Sequence, residues 1–399
     1  MKPDIPNLFV EINEINYIFV VGKYDESYNL KIIDKIVVPI EEIKNNNFIN
    51  IEQAQDIVKK NIHLIENKLN YVFNEVTIIL DKFDCSHLSI SGFKKLNGSQ
   101  VLKENISYIL NSMKSIVKEN EKEKTILHIF NSKSVLDGSV IDNLPIGSYG
   151  DFYIHELTFL LINNNDLKNT KLIFERNNLK VKKIIVKNFI ECSQIIDKYH
   201  NEESFFKIKI NKDRSNLSFF EKSSFKYIEH FNFGTNIILQ DIIKVCAIDF
   251  EIINKILLDK YFDKNDYKDE DLVEEKYFDN KSYRKIRKKL ILDIVSARIE
   301  EITNIIINKN INLQDWKKKR YTIYISLEDE LIFNNFEKIF ISHVLQNDNC
   351  KAYFINDFEI DTSIIKAAYL EKFGWKKEAI PIIQTKNSLI TRIFKSLFG

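Results

Sequence analysis

Residues 205–234 read FFKIKINKDRSNLSFFEKSSFKYIEHFNFG, and this stretch decides the fold that the sequence predicts. Aromatic and β-branched residues recur in short runs separated by polar turns, a pattern typical of consecutive β-strands. The predicted strands are Phe205–Ile210, Leu217–Glu221 and Phe225–Phe233. Gly234 ends this β-β-β meander, and helices are predicted to follow it at Asn236–Ala247 and Phe250–Tyr261.

A second meander is predicted at the start of the chain. Its strands are Leu8–Ile12, Tyr17–Val21 and Leu30–Val38, followed by a helix at Ile51–Leu69 and a strand at Val76–Leu80. The repeat is one of predicted structure and not of sequence period. A lobe that begins β-β-β-α-β and occurs twice, with insertions, resembles the plan of the actin-like fold.

Residues 84–158 are predicted to form a unit separate from the two lobes. The other segments are predicted to complete the lobes. The unit at 84–158 contains a strand at His87–Phe93, a helix at Ser99–Glu121, a strand at Thr125–Phe130, a hairpin at Asp137-Gly138 and a strand at Phe152–Ile162. The other predicted elements are helices at 166–178, 191–199, 282–307, 331–345 and 362–373 and strands at 181–186, 322–326 and 352–355.

Composition excludes several classes of protein. The mass of 47.2 kDa suits two domains or one bilobed unit. A net charge of +1 argues against a general nucleic-acid binder. The four cysteines form no C-x-x-C pair, which favours a reducing compartment without disulfides or zinc. No signal peptide and no apolar run of bilayer length is recognisable, so we expect a cytosolic protein whose surface may still touch a membrane.

The chain contains only nine glycines, and none of the glycine-rich phosphate loops can be built from them. Catalytic and metal-binding patterns are equally weak. The acidic loop at 263–275 lacks the glycine of a calcium loop, since Lys268 stands at that position, and we read it as a solvated loop. The histidines lack zinc-binding spacing, and His128 and His155 are expected to be ordinary strand residues. Because no nucleophile–base pair is recognisable, we expect no enzyme.

Basic and amphipathic segments point towards binding. The basic clusters Arg284–Lys289 and Lys317–Arg320 are either solvated helix faces or sites for an acidic peptide. The end of the chain places its apolar residues on one helical face edged by Arg392 and Lys395, which is typical of a helix at a membrane surface. The apolar positions are Leu389, Ile390, Ile393, Phe394, Leu397 and Phe398. A terminal helix packed on its own domain is the alternative.

Several motifs together resemble FtsA, the actin-like bacterial cell-division family that tethers FtsZ filaments to the membrane. The motifs are Leu127–Phe130 with Asp137-Gly138, Pro145 with Gly147 and Gly150, Glu175–Leu179 before a strand, Phe233-Gly234 with Asp241-Ile242, and Ser296–Ile302. Each is weak alone, but their order and spacing follow the family almost from end to end. The terminal amphipathic segment is similar to the family's membrane anchor.

The same resemblance implies ATP and Mg²⁺ as ligands, but the loops that would hold them depart from the family pattern. The first phosphate loop is matched by Glu11, Asn13 and Glu14, the second by Lys209, Asn211 and Asp213, and the adenosine loop by Leu327–Asp329 with Glu328 at its centre. Added side chains and carboxylates replace the glycines whose backbone N–H groups would contact phosphate. We therefore expect no cofactor, no resident metal and no ATPase activity.

The resemblance implies a scaffold on the cytoplasmic face of the inner membrane, at the division septum. Lys289, Arg298 and Glu301 would bind the C-terminal peptide of FtsZ, and the chain would assemble head to tail with itself and recruit later division proteins. Residues 389, 390, 392–395, 397 and 398 would contact anionic lipids. The alternatives are a type IV pilus assembly adaptor of the PilM type and an ATPase of the actin/hexokinase superfamily.

The predicted domain boundaries follow from this plan. They are 1–83 with 159–203 for the first lobe, 84–158 for the inserted subdomain, 204–236 with 311–375 for the core of the second lobe, 237–310 for its FtsZ-binding subdomain, 376–387 for a linker and 388–399 for the membrane helix.

Overall fold

The computed structural model describes residues 5–40, 43–44, 47–48, 51–199, 202–259, 268, 270–279, 281–313, 321–327, 333–344, 350–356 and 358–379. The predicted membrane helix, the cluster Lys317–Arg320, Glu328 and residues 263–267 and 269 of the acidic loop lie outside these residues.

The first lobe is built on a five-stranded sheet. Its strands are β1 (Asn7–Ile12), β2 (Asn16–Tyr24), β3 (Leu30–Pro39), β6 (Glu75–Leu80) and β11 (Lys180–Val186), and a small hairpin, β4 (Ile43–Lys44) and β5 (Asn47–Phe48), lies outside it. The order is β11-β6-β1-β2-β3, with β1, β2 and β3 antiparallel and with β6 and β11 parallel to β1. Helices α1 (Ile51–Leu69) and α3 (Asn164–Glu175) complete this lobe. The predicted bounds of α1 are confirmed.

The second lobe repeats this topology. Its strands are β12 (Phe205–Ile210), β13 (Ser215–Glu221), β14 (Ser224–Phe231), β15 (Tyr321–Leu327) and β16 (Cys350–Phe354). Their order is β14-β13-β12-β15-β16, again an antiparallel meander followed by two parallel strands. The duplicated meander that the alternation predicted is therefore confirmed strand by strand.

Two helices lie between the sheets and create a shared core. They are α4 (Lys187–Lys198) and α9 (Ile360–Phe373). Phe189 and Ile195 of α4 and Ile364 of α9 belong to one buried cluster with residues of both sheets. In α4, ten of the twelve residues are buried, and its polar residues Lys187, Asn188 and Glu191 lie on one buried face. The sequence prediction started this helix at residue 191, four positions late, because α4 follows β11 with no turn between them and no side-chain cap marks its start.

An inserted sheet lies within the first lobe in sequence, between β6 and β11. It has the order β7-β10-β8-β9 and packs one face against α2 (Lys103–Asn120). The strands are β7 (Ser86–Lys95), β8 (Lys124–Leu136), β9 (Ser139–Ile141) and β10 (Phe152–Asn163). Residues 377–379 also pair with β8, through Lys377 to Asn131 and Ala379 to Ile129. The first residues of the predicted linker are thus part of the folded structure.

Four helices cover the outer side of the second sheet. They are α5 (Asn236–Cys246), α6 (Phe250–Leu258), α7 (Lys288–Thr303) and α8 (Phe333–Val344). The prediction that α7 begins at residue 282 is wrong, because Val273 and Ile286 hydrogen bond in an extended pairing that occupies the backbone before the helix. Among the described helices, none combines the length and apolar character needed to span a bilayer.

One prediction concerns His155, which is buried on β10 on the same strand face as the core residues Tyr153 and Leu157. Neither ring nitrogen has a hydrogen-bond partner among the described residues, and burial lowers the pKa of the imidazole to about 4. Protonation in the unfolded chain near pH 6.5 therefore opposes folding, and the free energy of unfolding should fall by up to about 3 kcal/mol between pH 6.5 and 4.

The substitution His155→Leu should flatten this dependence in urea titrations at several pH values. Burial also lowers the pKa values of His87 and His230, so part of the slope will remain. His63→Leu, at an exposed site on α1, is the matched control. Equal slopes for the wild type and the His155 variant would contradict this assignment.

Candidate functional site in the cleft between the lobes

The carboxyl ends of the parallel strands meet at the cleft between the two lobes. β1, β6 and β11 end together, with Ile12, Leu80 and Val186 in register, and β12 ends beside β15 on the other side. Open α/β sheets bind their ligands at such edges. The loops predicted to face a nucleotide, after Glu11 and after Lys209, both lie here.

Six charged side chains, which we call the interlobe cluster, fill the centre of this cleft. The first lobe contributes Glu11, Asp81, Lys187 and Glu191, and the second contributes Lys207 and Lys209. Lys187 lies 2.5 Å from Glu11 and 3.7 Å from Asp81. Lys209 lies 3.3 Å from Asp81 and 3.4 Å from Glu191, while Lys207 binds Glu191 directly. The lobes are therefore joined through Glu191 and Asp81.

The cluster balances its own charge deep inside the protein. Glu11, Glu191 and Lys207 are at most 2% exposed, and Lys187 and Lys209 are also buried. A buried ion is unfavourable unless opposite charges and hydrogen bonds surround it. Three lysines face three carboxylates here. Asn188 accepts a hydrogen bond from Lys207 and donates one to Asn216, and both bonds cross the lobes.

The pKa values of the cluster reflect mutual stabilisation of charge. Burial alone would raise the pKa of Glu191, but Lys207, Lys209 and Lys187 outweigh it and hold the pKa well below that of an ordinary glutamate. Burial alone would lower the pKa of Lys187, but Asp81, Glu11 and Glu191 outweigh it and raise the pKa. Both groups stay charged over a wide pH range around neutrality.

The first predicted phosphate loop uses its own amides internally. The side-chain oxygen of Asn13 accepts hydrogen bonds from the backbone N–H groups of Ile15, at 3.0 Å, and Asn16, at 2.7 Å. The Asn13 amide also donates to Glu11. The N–H groups that a glycine turn would offer to a phosphate are therefore already bound.

The second predicted loop folds back on the start of α5. The N–H groups of Thr235 and Asn236 donate to the carbonyl oxygens of Asn211 and Lys212, and the Asn236 side chain binds Asp213. Gly234 is required for this contact, because a Cβ there would lie 2.0 Å from the Asn211 carbonyl oxygen. This helix N-terminus, which could otherwise attract an anion, is closed by the protein's own backbone.

The space left at the mouth of the cleft is too small for a nucleotide. The cavity lined by Glu14, Asp81 and Arg214 measures about 30 Å³, far below the roughly 300 Å³ of a small ligand site. Arg214 of the second lobe crosses this mouth to Asp84, at 3.1 Å, and Glu14, at 3.6 Å. The side chains of the cleft therefore do not fit the phosphates of ATP. Within the described residues, no group of three or more His, Cys, Asp or Glu could hold a metal ion.

Sequence reasoning located Glu11 and Lys209 but missed Asp81, Lys187, Glu191 and Lys207. The one available signal was the pattern FFKIKI at 205–210, in which two lysines share a face of a strand whose other residues are all apolar. Nothing in the sequence identifies the acidic partners, because Asp81 and Glu191 are far from these lysines along the chain.

The predicted peptide-binding residues on α7 do not form one surface. Arg298 is bound to Asp241 of α5, at 2.5 Å, and to Glu301, at 2.5 Å. Lys289 precedes Arg298 by about two and a half helical turns, which places it on the opposite side of the helix. The structure brings Arg298 and Glu301 together, but they form an ion pair with each other. Lys289 does not lie beside them.

The segment before α7 also carries exposed positive charge. Arg284, Lys285 and Arg287 are exposed in the extended segment that leads into α7. Leu272, which pairs with Arg287, and Tyr283 are also more than a third exposed. We call these five residues the basic turn.

Comparison with known proteins shows the fold. No family model matches the sequence, and no curated protein matches it. Among solved structures, the PilM–PilN type IV pilus biogenesis complex superposes with a TM-score of 0.51 at 11% identity, covering 94% of this chain and 98% of that chain.

Two further solved structures resemble this chain less closely. EutJ, an ethanolamine utilization protein from Carboxydothermus hydrogenoformans, gives a TM-score of 0.45 at 10% identity over 93% of this chain and 91% of its own. MreB5 of Spiroplasma citri bound to ADP gives 0.47 at 11% identity over 93% and 97%. The chain has an actin-like fold, as the two meanders predicted. At these identities the likeness shows the fold alone.

The interlobe cluster predicts a large effect of a single neutralisation. Glu191→Gln removes the carboxylate that pairs with Lys207 and one of those that pair with Lys209, and we expect a loss of about 3–5 kcal/mol in the free energy of unfolding, measured with urea. Adding Lys207→Met should recover part of this loss, because it removes an uncompensated charge. Glu14→Gln, at the partly exposed mouth, should change stability by less than about 1 kcal/mol. A Glu191→Gln variant as stable as the wild type would show that the cluster does not hold the lobes together.

Proposed function

We propose that this protein is an actin-like scaffold that links a partner protein to a membrane without using ATP. The observation that carries the proposal is the interlobe cluster. Its charged side chains fill the place where a nucleotide would bind. A scaffold that remains closed can present its binding surfaces constantly, whereas an ATPase of this fold would need open loops and room for Mg-ATP. The superfamily ATPase is therefore the weakest of the alternatives.

The partner-binding surface in this proposal is the basic turn. Arg284, Lys285 and Arg287 supply exposed positive charge, and Leu272 and Tyr283 supply apolar area beside it. This combination suits a short peptide that is both acidic and apolar. Under the FtsA resemblance, the peptide is the C-terminal tail of FtsZ. The basic turn replaces Arg298 in this role, since Arg298 already binds Asp241 and Glu301.

Attachment to the membrane is assigned to residues 388–399. Their apolar face and basic edge support weak binding to anionic lipids, because ordering so short a helix offsets most of the gain from burying it. Head-to-tail assembly would place many such segments on one membrane and strengthen attachment by multivalency. The protein would then act on the cytoplasmic face of the inner membrane, at the septum, where later division proteins join it.

A second candidate is an adaptor in type IV pilus assembly. The likeness to the PilM–PilN complex, which spans 94% of this chain and 98% of that one, favours it. In that role the partner would be a pilus-assembly protein, as PilN is for PilM, and the basic turn would bind it in place of FtsZ. The two candidates share the scaffold and differ in the peptide, so a binding assay with both partners distinguishes them.

The membrane assignment is tested by co-sedimentation of the full-length protein with phosphatidylglycerol-containing liposomes, with and without FtsZ and Mg-ATP. Phe394→Asp, on the apolar face, should abolish pelleting, and Ser396→Asp, which adds the same charge on the polar face, should reduce it much less. FtsZ should pellet only with protein that retains the anchor, and Mg-ATP should change neither result. Undiminished pelleting of the Phe394 variant would remove the anchor from the proposal.

The partner surface is tested by charge reversal. Arg284→Glu combined with Arg287→Glu should weaken binding of the FtsZ C-terminal peptide by more than about tenfold, measured by fluorescence anisotropy, with little change in stability. Lys59→Glu with Lys60→Glu, at exposed positions of α1, makes the same change in net charge and should leave binding intact. Arg298→Glu should mainly lower stability, because it places three acids together. Loss of binding only in the Arg298 variant, at unchanged stability, would return the site to Arg298 and Glu301.

A further inference from the structure

A second cavity lies at the seam between the inserted sheet and the second lobe, apart from the interlobe cluster. It measures about 670 Å³, the size of a small-molecule site, and we call it the seam cavity. Three parts of the chain line it: the outer face of the inserted sheet, the β13–β14 hairpin, and residues 376–377. The cavity lies within the described residues, and none of its lining residues takes part in the interlobe cluster.

The floor of the seam cavity consists of small hydroxyl side chains. Ser89, Ser132 and Ser134 line it, and their size leaves the volume open. Ser132 and Ser89 each lie within hydrogen-bond distance of Thr158, at 2.6 and 3.0 Å, so this row of hydroxyls is ordered. Hydroxyl groups can turn their hydrogens towards an anionic oxygen, and the floor is thus a polar surface with adaptable donors.

The lysines of the rim carry a local excess of positive charge. Lys226 is held between Glu156, at 2.7 Å, and Glu221, at 3.8 Å, and is therefore neutralised. Lys133, Lys222 and Lys377 also line the cavity, and Asp142 is the remaining carboxylate of the lining. Lys376 also lines the cavity, and it binds Glu203, which lies outside the lining. The lining as a whole has five lysines and three carboxylates, an excess of about two positive charges.

Lys377 lies beside Asp142 in the lining of the cavity. The Lys377 ammonium group donates to the backbone carbonyl of Asp142, and Lys222 binds the Asp142 carboxylate at 2.5 Å. Burial, together with the nearby charges of Lys376 and Lys222, lowers the pKa of Lys377, although Asp142 and Glu203 act in the opposite direction. An anion between Lys222 and Lys377 would stabilise the charged form of this partly buried ammonium group.

We propose that the seam cavity binds a small molecule that carries a phosphate group. A phosphate dianion matches the charge excess of the rim, and ammonium and hydroxyl groups are usual partners of phosphate oxygens. The phosphate would lie between Lys222 and Lys377, with the rest of the molecule over the serine floor. Such a ligand would cross-link the inserted sheet, the second lobe and the segment leading to residue 379. A soluble phosphate ester and a lipid headgroup present the same chemistry to these residues.

The test uses the full-length protein with two probes, glycerol 3-phosphate in solution and vesicles containing phosphatidic acid. We expect saturable binding by calorimetry and a raised melting temperature, with sodium chloride at equal ionic strength as the salt control. Lys222→Met with Lys377→Met should weaken binding by at least about tenfold. Lys59→Met with Lys60→Met, which removes the same charge from α1, should not.

A second variant separates the cavity from its surface charge. Val140 lines the cavity and is 55% exposed, so Val140→Trp should fold and should obstruct the cavity without changing its charge. Loss of binding in this variant supports the site. Binding to the vesicles alone, lost in the same variants, assigns the phosphate to a lipid headgroup. Absence of saturable binding to both probes, or full binding by the Val140 variant, overturns the proposal.

Discussion

The buried ion pairs between α4 and β12 are the interaction on which the arrangement of the two lobes depends. α4 is enclosed between the sheets, and its two charged residues at the cleft, Lys187 and Glu191, are buried. Water therefore cannot replace the ion-pair partners of these two residues. Lys207 and Lys209 can balance Glu191 and Asp81 only if the second lobe closes against the first. The buried charges are therefore neutralised only when the cleft is closed.

The rest of the site is consistent with a cleft that stays closed. Asn13 binds the amides of its own turn, the start of α5 binds the carbonyls of the neighbouring turn, and Arg214 crosses the mouth to Glu14 and Asp84. Each contact satisfies a group that would otherwise be available to phosphate. The basic turn and the seam cavity share no residue with the interlobe cluster, so the binding proposed for them does not require the lobes to separate.

The fold was largely predictable from sequence, and the site only in part. Alternation over 8–38 and 205–233 predicted both meanders, because the period of a strand is a local property. The start of α4 was not predictable, because the helix follows β11 with no turn or side-chain cap between them. The acidic partners of Lys207 and Lys209 were not predictable, because the sequence does not show which carboxylates fold against these lysines. The low glycine content alone was an ambiguous sign that phosphate loops are missing. Asn70, Asn97 and Asn178 adopt left-handed backbone conformations at ordinary turns, where proteins commonly use glycine. At Asn13 the side chain does more, because it occupies the amides themselves.

The central claim is that the interlobe cluster takes the place of a nucleotide. Isothermal titration of Mg-ATP into the purified full-length protein tests it most directly, because the heat of binding reports occupancy whether or not hydrolysis follows. The account predicts no saturable heat up to millimolar Mg-ATP. A dissociation constant in the micromolar range would contradict it, and would mean that the cluster opens to admit a ligand.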